Sequence, residues 1–337
     1  MRFTRCYFSE LQYSTLLVWA DSVGGWVDTD GIDLCPWDFS VETIDMLLDH
    51  NRLHVNSSKR PAPIYDYINT WINKLPSLSD EDYVVIGKYG ETIPYIPLFS
   101  TNAKILCVGL NYAEHVKEFN NDRPTEPVIF SKASSALNCQ NGMIILPDSS
   151  ARVDYEGELV VVIGDVCHNV DEDEAMEFVA GYCVGNDVSA RDWQKDKPAG
   201  QWLLGKSFDT FAPIGPVFVT KDEVGDPNDL EIVTKLNEQV VQASSTKNFI
   251  FKIPQLIAYI SKVMTLYPGD LIFTGTPSGV GDARNPPIYL QHGDKITVEI
   301  EKIGKLVNYV CDSSGQNYEW RKPTPQWQRI VVSDNEN

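Results

Sequence analysis

The sequence predicts an α+β fold that is mainly β. Short apolar runs rich in Val, Ile, Leu and Phe recur between turn residues, while helical periodicity is confined to a few brief stretches. Strands and helices do not alternate regularly, which excludes a doubly wound arrangement.

Residues 1–100 form a smaller N-terminal α+β domain in this reading. Strand-like runs at 16–20 and 83–86 are mixed with the turn signals Gly24-Gly25 and Asp30-Gly31 and with amphipathic stretches at 41–50 and 63–73. The prolines Pro94 and Pro97 then lead into the apolar run 104–108, which opens a second core over 101–318. Within it, strands are predicted at 128–130, 159–163, 182–184, 217–220, 271–274 and 295–300. A helix is predicted at 254–264, where Pro254 suits a first turn, and another near 171–179, opened by four acidic residues. Residues 319–337 read as a loose tail.

Composition narrows the function classes. The 337 residues carry 28 basic and 47 acidic side chains, a net charge of -19, which repels nucleic-acid backbones and anionic membranes. The same charge repels an anionic substrate, so a site for acids needs local cations. The seven cysteines are dispersed and contain no CxxC pair, which fits free thiols better than a disulfide framework or a zinc site. The first residues have neither a secretory nor a transit pattern, and no apolar run reaches membrane-spanning length, so a soluble cytoplasmic protein is expected.

Four segments carry chemistry. In Val153-Asp-Tyr-Glu-Gly-Glu158, a strand would project Asp154, Glu156 and Glu158 to one face. Like charges beside an apolar run need a cation, a proton or open water; a solvated edge strand is the plain alternative. A further carboxylate, Asp187, follows an apolar run at a Gly-Asn break, and an all-oxygen set suits Mg²⁺, with Mn²⁺ or Ca²⁺ possible. A helical turn would place His115 and Glu118 on one face, as a general base for water requires or as an ordinary surface pair would show, and the polar stretch 120–127 beyond it is a candidate lid. Lys206 sits among apolar residues, either snorkelling to water or aimed at an anion. Gly275 and Thr276 in the run 274–281 could bring backbone N–H groups close to a carboxylate, or form a plain tight turn.

Taken together, the strings GLNYAEHVKE (109–118), PVIFSKASSAL (127–137), VDYEGELVVVIG (153–164), GYCVGNDVSARDWQ (181–194), GQWLLGKSFDTFAPIGP (200–216) and TGTPSGVG (274–281) closely resemble the fumarylacetoacetate hydrolase family over roughly residues 104–312. The resemblance implies a mixed β-sandwich roll, usually a homodimer, with Glu156, Glu158 and Asp187 as metal ligands. It further implies His115 as the water-activating base paired with Glu118, Lys206 as the lysine facing the leaving enolate, and Arg191, Gln194, Thr276, Gly275 and Tyr112 on the substrate side. The larger fumarylacetoacetate-cleaving members carry an additional aspartate ligand in the segment matching NYAEH. This chain lacks it and is similar to the smaller acylpyruvate hydrolase and oxaloacetate decarboxylase members. The activity implied is metal-dependent C–C hydrolysis of a small diketo acid. Decarboxylation of a β-oxo acid such as oxaloacetate, or isomerisation or hydration of an unsaturated oxo-diacid, are the alternatives, and a non-catalytic binding protein on the same fold is the remote one.

Overall fold

The structure is a computed structural model that describes residues 2–8, 13–20, 25–28, 85–88, 97–99, 101–119 and 121–313. The amphipathic stretches at 41–50 and 63–73, the tail 319–337, Cys35 and the side chain of Cys6 lie outside the described residues.

Among the described residues an eleven-stranded sheet dominates. Ten strands run in the order Val85–Lys88, Gly25–Asp28, Tyr13–Ala20, Arg2–Phe8, Ala212–Thr220, Val179–Asn186, Gly157–Ile163, Leu271–Phe273, Ile105–Gly109 and Val128–Lys132; Leu137–Asn138 pairs beside Ala212–Thr220. A five-stranded sheet runs Gln239–Ser245, Glu231–Leu236, Lys295–Ile300, Gly304–Asp312, Met143–Leu146. This is the mainly β, mixed β-sandwich roll that the sequence predicts. The expected division near residue 100 separates segments whose strands share one sheet, because Arg2 and Phe3 pair with Val219 and Phe218.

The central strand Gly157–Ile163 shows why the sequence folds this way. All seven residues are buried, and from Leu159 to Ile163 they read as a continuous apolar run and not as an alternating one. Val160 and Val162 join one core cluster with Cys183, Phe218 and Phe273. Leu159, Val161 and Ile163 point the other way, into a second cluster with Tyr182, Val219 and the helix Ile253–Ser261. The five-stranded sheet feeds both clusters, through Leu236, Ile296 and Val310 on one side and Ile232, Val298 and Leu306 on the other. Each such side chain stabilises the fold by about 1.5–3 kcal/mol.

Two expectations change. The helix expected at 171–179 shrinks to a 3-10 turn over Ala175–Phe178, since its acidic start supplies charge but no apolar stripe to bury. The hairpin Glu231–Leu236/Gln239–Ser245 was not predicted. Its two-residue turn puts Asn237 and Glu238 at φ 49 and 66, and Asn-Glu lacks the glycine that marks such turns in sequence. Among the described residues the thiols of Cys107, Cys167 and Cys183 are free. No helix among the described residues is long and apolar enough to cross a membrane.

Candidate active site

Sheet register builds the carboxylate site. Gly157 pairs with Asn186 and Glu158 with Gly185, and the Asp187 N–H donates to the Glu156 carbonyl at 2.8 Å. Acidic residues some thirty positions apart therefore meet at one end of the ladder. Carboxylate oxygens of Glu156, Glu158 and Asp187 lie within 4.8 Å of one another, and all three residues are buried.

The single-strand reading put Asp154 on one face with Glu156 and Glu158, but Asp154 is not among the three acids that converge. The strand breaks after Val153–Asp154 and resumes at Gly157. Asp154 instead accepts N–H bonds from Tyr155, Gly281 and Asp282 and from the Arg191 Nε at 2.9 Å. It anchors the arginine.

Three buried cations face the four acids. Lys206 Nζ bridges Glu156 Oε2 at 2.7 Å and Asp187 Oδ2 at 2.8 Å. Lys132 Nζ lies 2.5 Å from Asp187 Oδ1 and donates to the Val188 carbonyl. The Arg191 guanidinium lies 2.7 Å from Glu156 Oε1 and 2.8 Å from Asp154 Oδ2. Among the described residues Glu158 accepts only the Gly275 N–H, at 2.7 Å, and no cationic side chain bonds it. The electrostatics follow this inequality. Burial pushes the Glu156 carboxyl up, but Lys206 and Arg191 outweigh it and hold the group well below the usual carboxylate range. For Glu158, burial and the charges of Asp187 and Glu156 act together and push its carboxyl well up. Lys206 is driven up against the effect of burial by Asp187 and Glu156, whereas burial prevails at Lys132 and lowers it. One carboxylate in excess, in an all-oxygen cluster of this size, fits a divalent cation such as Mg²⁺.

The other side chains arrive on elements around this floor. Ile105–Gly109 runs parallel to Leu271–Phe273, with Cys107 paired to Phe273, so the helix Ala113–Glu118 and the loop starting at Thr274 leave the sheet at the same end. His115 Nδ1 meets Glu118 Oε1 at 2.6 Å, and the Gly279 N–H donates to Glu118 Oε2 at 2.9 Å. That pairing leaves Nε2 as the nitrogen available to a ligand. Gln194 Oε1 accepts from Arg191 NH1 at 3.0 Å, which leaves its amide N–H₂ to offer. The helices Arg191–Lys195 and Trp202–Lys206 approach so closely that a Cβ at Gly205 would lie 2.7 Å from the Gln194 backbone nitrogen. This contact holds Lys206 beside Arg191.

A cavity of about 290 Å³ opens over the floor, with His115, Glu156, Arg191, Gln194, Lys206 and Thr276 in its wall, joined by Lys195 and by Phe119, Phe130 and Trp202. Two expected substrate-side residues, Tyr112 and Gly275, do not line the cavity, and Thr276 lines it with its hydroxyl engaged. Tyr112 does not line the cavity; its ring packs in the core against Phe249, centroids 5.0 Å apart, because it lies on the inner side of the chain entering the helix. Gly275 spends its N–H on Glu158, and only glycine suits its φ of 99, with Asn111 Cβ 2.7 Å from where a Cβ would stand. The Thr276 hydroxyl donates to the Gly157 carbonyl at 3.0 Å and accepts from Gln242 at 2.8 Å.

Sequence reasoning missed Lys132, Asn111 and Gln242. Lys132 ends an apolar strand, the same signal that drew attention to Lys206. Asn111 is fully buried and ties the Phe251 backbone to the Thr274 carbonyl. Gln242 accepts from the Gly157 N–H at 3.0 Å and donates to Thr276 Oγ1 and the Pro277 carbonyl at 2.8 Å, so it ties the acid-bearing segment at Gly157 to the loop that starts at Thr274. Nothing in its local sequence marks it.

Residues 104–311 match the model of the fumarylacetoacetate (FAA) hydrolase C-terminal family, covering the whole of this site. The chain belongs to the fumarylacetoacetate hydrolase family. This family member is similar to the fumarylacetoacetate hydrolase domain-containing protein 2 homolog of Dictyostelium discoideum, 48% identical over 297 residues, 86% of this chain and 92% of that protein. It is 51% identical over 207 residues to the mitochondrial oxaloacetate tautomerase FAHD2A of Bos taurus, 61% of this chain and 66% of that protein, so it spans just under two thirds of that relative. The solved structure of a fumarylacetoacetate hydrolase from Exiguobacterium antarcticum superposes with a TM-score of 0.73 at 30% identity, covering 93% of this chain and 99% of the other. As a member of this family, the chain is an enzyme.

Proposed function

We propose that this enzyme interconverts the enol and keto forms of a small 2-oxo diacid of the oxaloacetate type, with a divalent cation held by Glu156, Glu158 and Asp187. The observation that carries this is His115, held by Glu118 at 2.6 Å and lining the same cavity as Glu156. A proton carrier and a charge-stabilising centre then face one substrate. The oxaloacetate tautomerase name of the Bos taurus relative supports the choice of reaction.

The cation, when bound, supplies the positive charge that favours the enolate over the neutral ketone. The rest falls to side chains. His115 Nε2 takes a proton from C3 of the keto acid as the C2–C3 double bond forms and the C2=O π pair moves to oxygen, and the resulting imidazolium delivers that proton to the C2 oxygen to complete the enol; the reverse direction runs the same transfer backwards. Glu118 holds Nδ1, which fixes the tautomer that leaves Nε2 basic. Lys206, with two of its three N–H donors engaged by Glu156 and Asp187, has one left for the developing oxyanion. Arg191 and Gln194 offer further N–H donors to the substrate carboxylate. A reducing compartment, cytoplasm or mitochondrial matrix, suits the free thiols.

A second reading has its own support. Phe119, Phe130 and Trp202 in the wall would suit an acyl tail, and the same histidine could deprotonate a water to cleave an acylpyruvate. Following enol oxaloacetate by ultraviolet absorbance, acetylpyruvate cleavage by acetate release and decarboxylation by CO₂ release separates the three reactions. We expect enol disappearance to dominate, to stop with a chelator, and to fall at least ~100-fold in His115→Asn. Undiminished tautomerisation by His115→Asn would end this reading.

A further inference from the structure

Three cationic side chains line the cavity: Arg191, Lys206 and Lys195. The first two are matched by acids of the floor, Arg191 by Asp154 and Glu156, Lys206 by Glu156 and Asp187. Lys195 is placed differently. It ends the helix Arg191–Lys195, with Nζ 2.6 Å from Asp282 Oδ2 and 4.0 Å from the ring centre of Phe119. Its side chain is 39% exposed, against 6% for Asp282.

Asp282 has two other partners, both on its Oδ1. Tyr289 donates its hydroxyl to Asp282 Oδ1 at 2.5 Å, and Arg152 NH2 meets the same oxygen at 3.0 Å. Lys195 can therefore swing its ammonium off Asp282 and leave that carboxylate paired with Arg152, at the cost of the hydrogen bond to Oδ2 in an ion pair exposed on the lysine side. Its flexible four-carbon stem carries a compact charge suited to such a move.

A 2-oxo acid whose chelating end sits at the floor must direct any second carboxylate elsewhere, because Glu156, Glu158 and Asp187 repel it. Along the rest of the wall, Lys195 is the cation not already matched by the floor. We propose that Lys195 selects for the second carboxylate, so that the site takes 2-oxo diacids in preference to 2-oxo mono-acids. This rests on the proposed chemistry only in placing the 2-oxo end at the floor.

The test uses two ligands that cannot enolise and differ only by a carboxylate in place of a methyl: 2-oxo-3,3-dimethylbutanedioate and 3,3-dimethyl-2-oxobutanoate. Each is titrated calorimetrically into the Mg²⁺-supplied wild type, Lys195→Met and Lys195→Arg. The wild type is expected to bind the diacid about tenfold more tightly than the mono-acid; Lys195→Met should lose that preference with mono-acid binding unchanged, and Lys195→Arg should keep most of it. Equal weakening of both ligands in Lys195→Met, no change in either, or no diacid preference in the wild type overturns the proposal. Failure of the tautomerase reading shows separately, as absent turnover of enol oxaloacetate by a wild type that still prefers the diacid.

Discussion

Glu158 is the side chain on which the cation site turns. It carries one backbone N–H bond, and its carboxyl is pushed up by burial and by the neighbouring charges of Asp187 and Glu156. The folded chain thus holds this proton more tightly than the unfolded chain, whose glutamates titrate near about 4.3. Without a cation, this group's contribution to stability is present in full below that pH and is lost as pH rises toward the raised native value. A divalent cation at the trio removes the penalty and competes with the proton. We therefore expect Mg²⁺ to raise Tm by more at about pH 8 than at about pH 5, by a few degrees at saturating concentration, measured by differential scanning calorimetry. An equal rise at both pH values would take Glu158 out of the cation site.

The elements that carry the site are short, and buried amide side chains lock them together. Gln242, on the strand Gln239–Ser245, joins the Gly157 N–H to Thr276 and Pro277. Gly157 lies between two of the acids, so the amide sets the spacing of Glu156 and Glu158. In Gln242→Leu the Gly157 N–H is left buried without a partner, which should cost about 3 kcal/mol in denaturant unfolding. Because the change acts on ligand spacing, cation affinity should also weaken by about tenfold. Affinity unchanged in a destabilised variant would reduce Gln242 to a purely structural role. The hairpin bearing it went unseen in the sequence because its turn uses Asn237 and Glu238 where glycine is the usual marker.

At the scale of the molecule, one sheet extends from the first residues to the site. Arg2, at its N-terminal entry, pairs with Glu223 at 2.5 Å and donates to the carbonyls of Ile303 and Lys302. This clip joins the strand Arg2–Phe8 to the helix Lys221–Val224 and to the turn at 302–303, none of which lines the cavity. Arg2→Ala should lower stability by about 1 kcal/mol in urea titration and leave turnover of enol oxaloacetate unchanged. A fall in turnover at unchanged stability would show that the N-terminal strands act on the site itself.

Much of this protein was legible before folding was considered. The apolar runs marked the strands because burial on both faces of a sheet demands uninterrupted apolar residues, as in residues 159–163. The acids, His115, Glu118 and Lys206 stood out because their types and wording are set by chemistry. Tertiary structure decided the partners. Sheet register joined Asp187 to Glu156 and Glu158, diverted Asp154 to Arg191, supplied Lys132 and Gln242, and sent Tyr112 into the core. Local sequence encodes side-chain chemistry and periodicity; which charge meets which is fixed by long-range pairing, and no neighbouring residue records it.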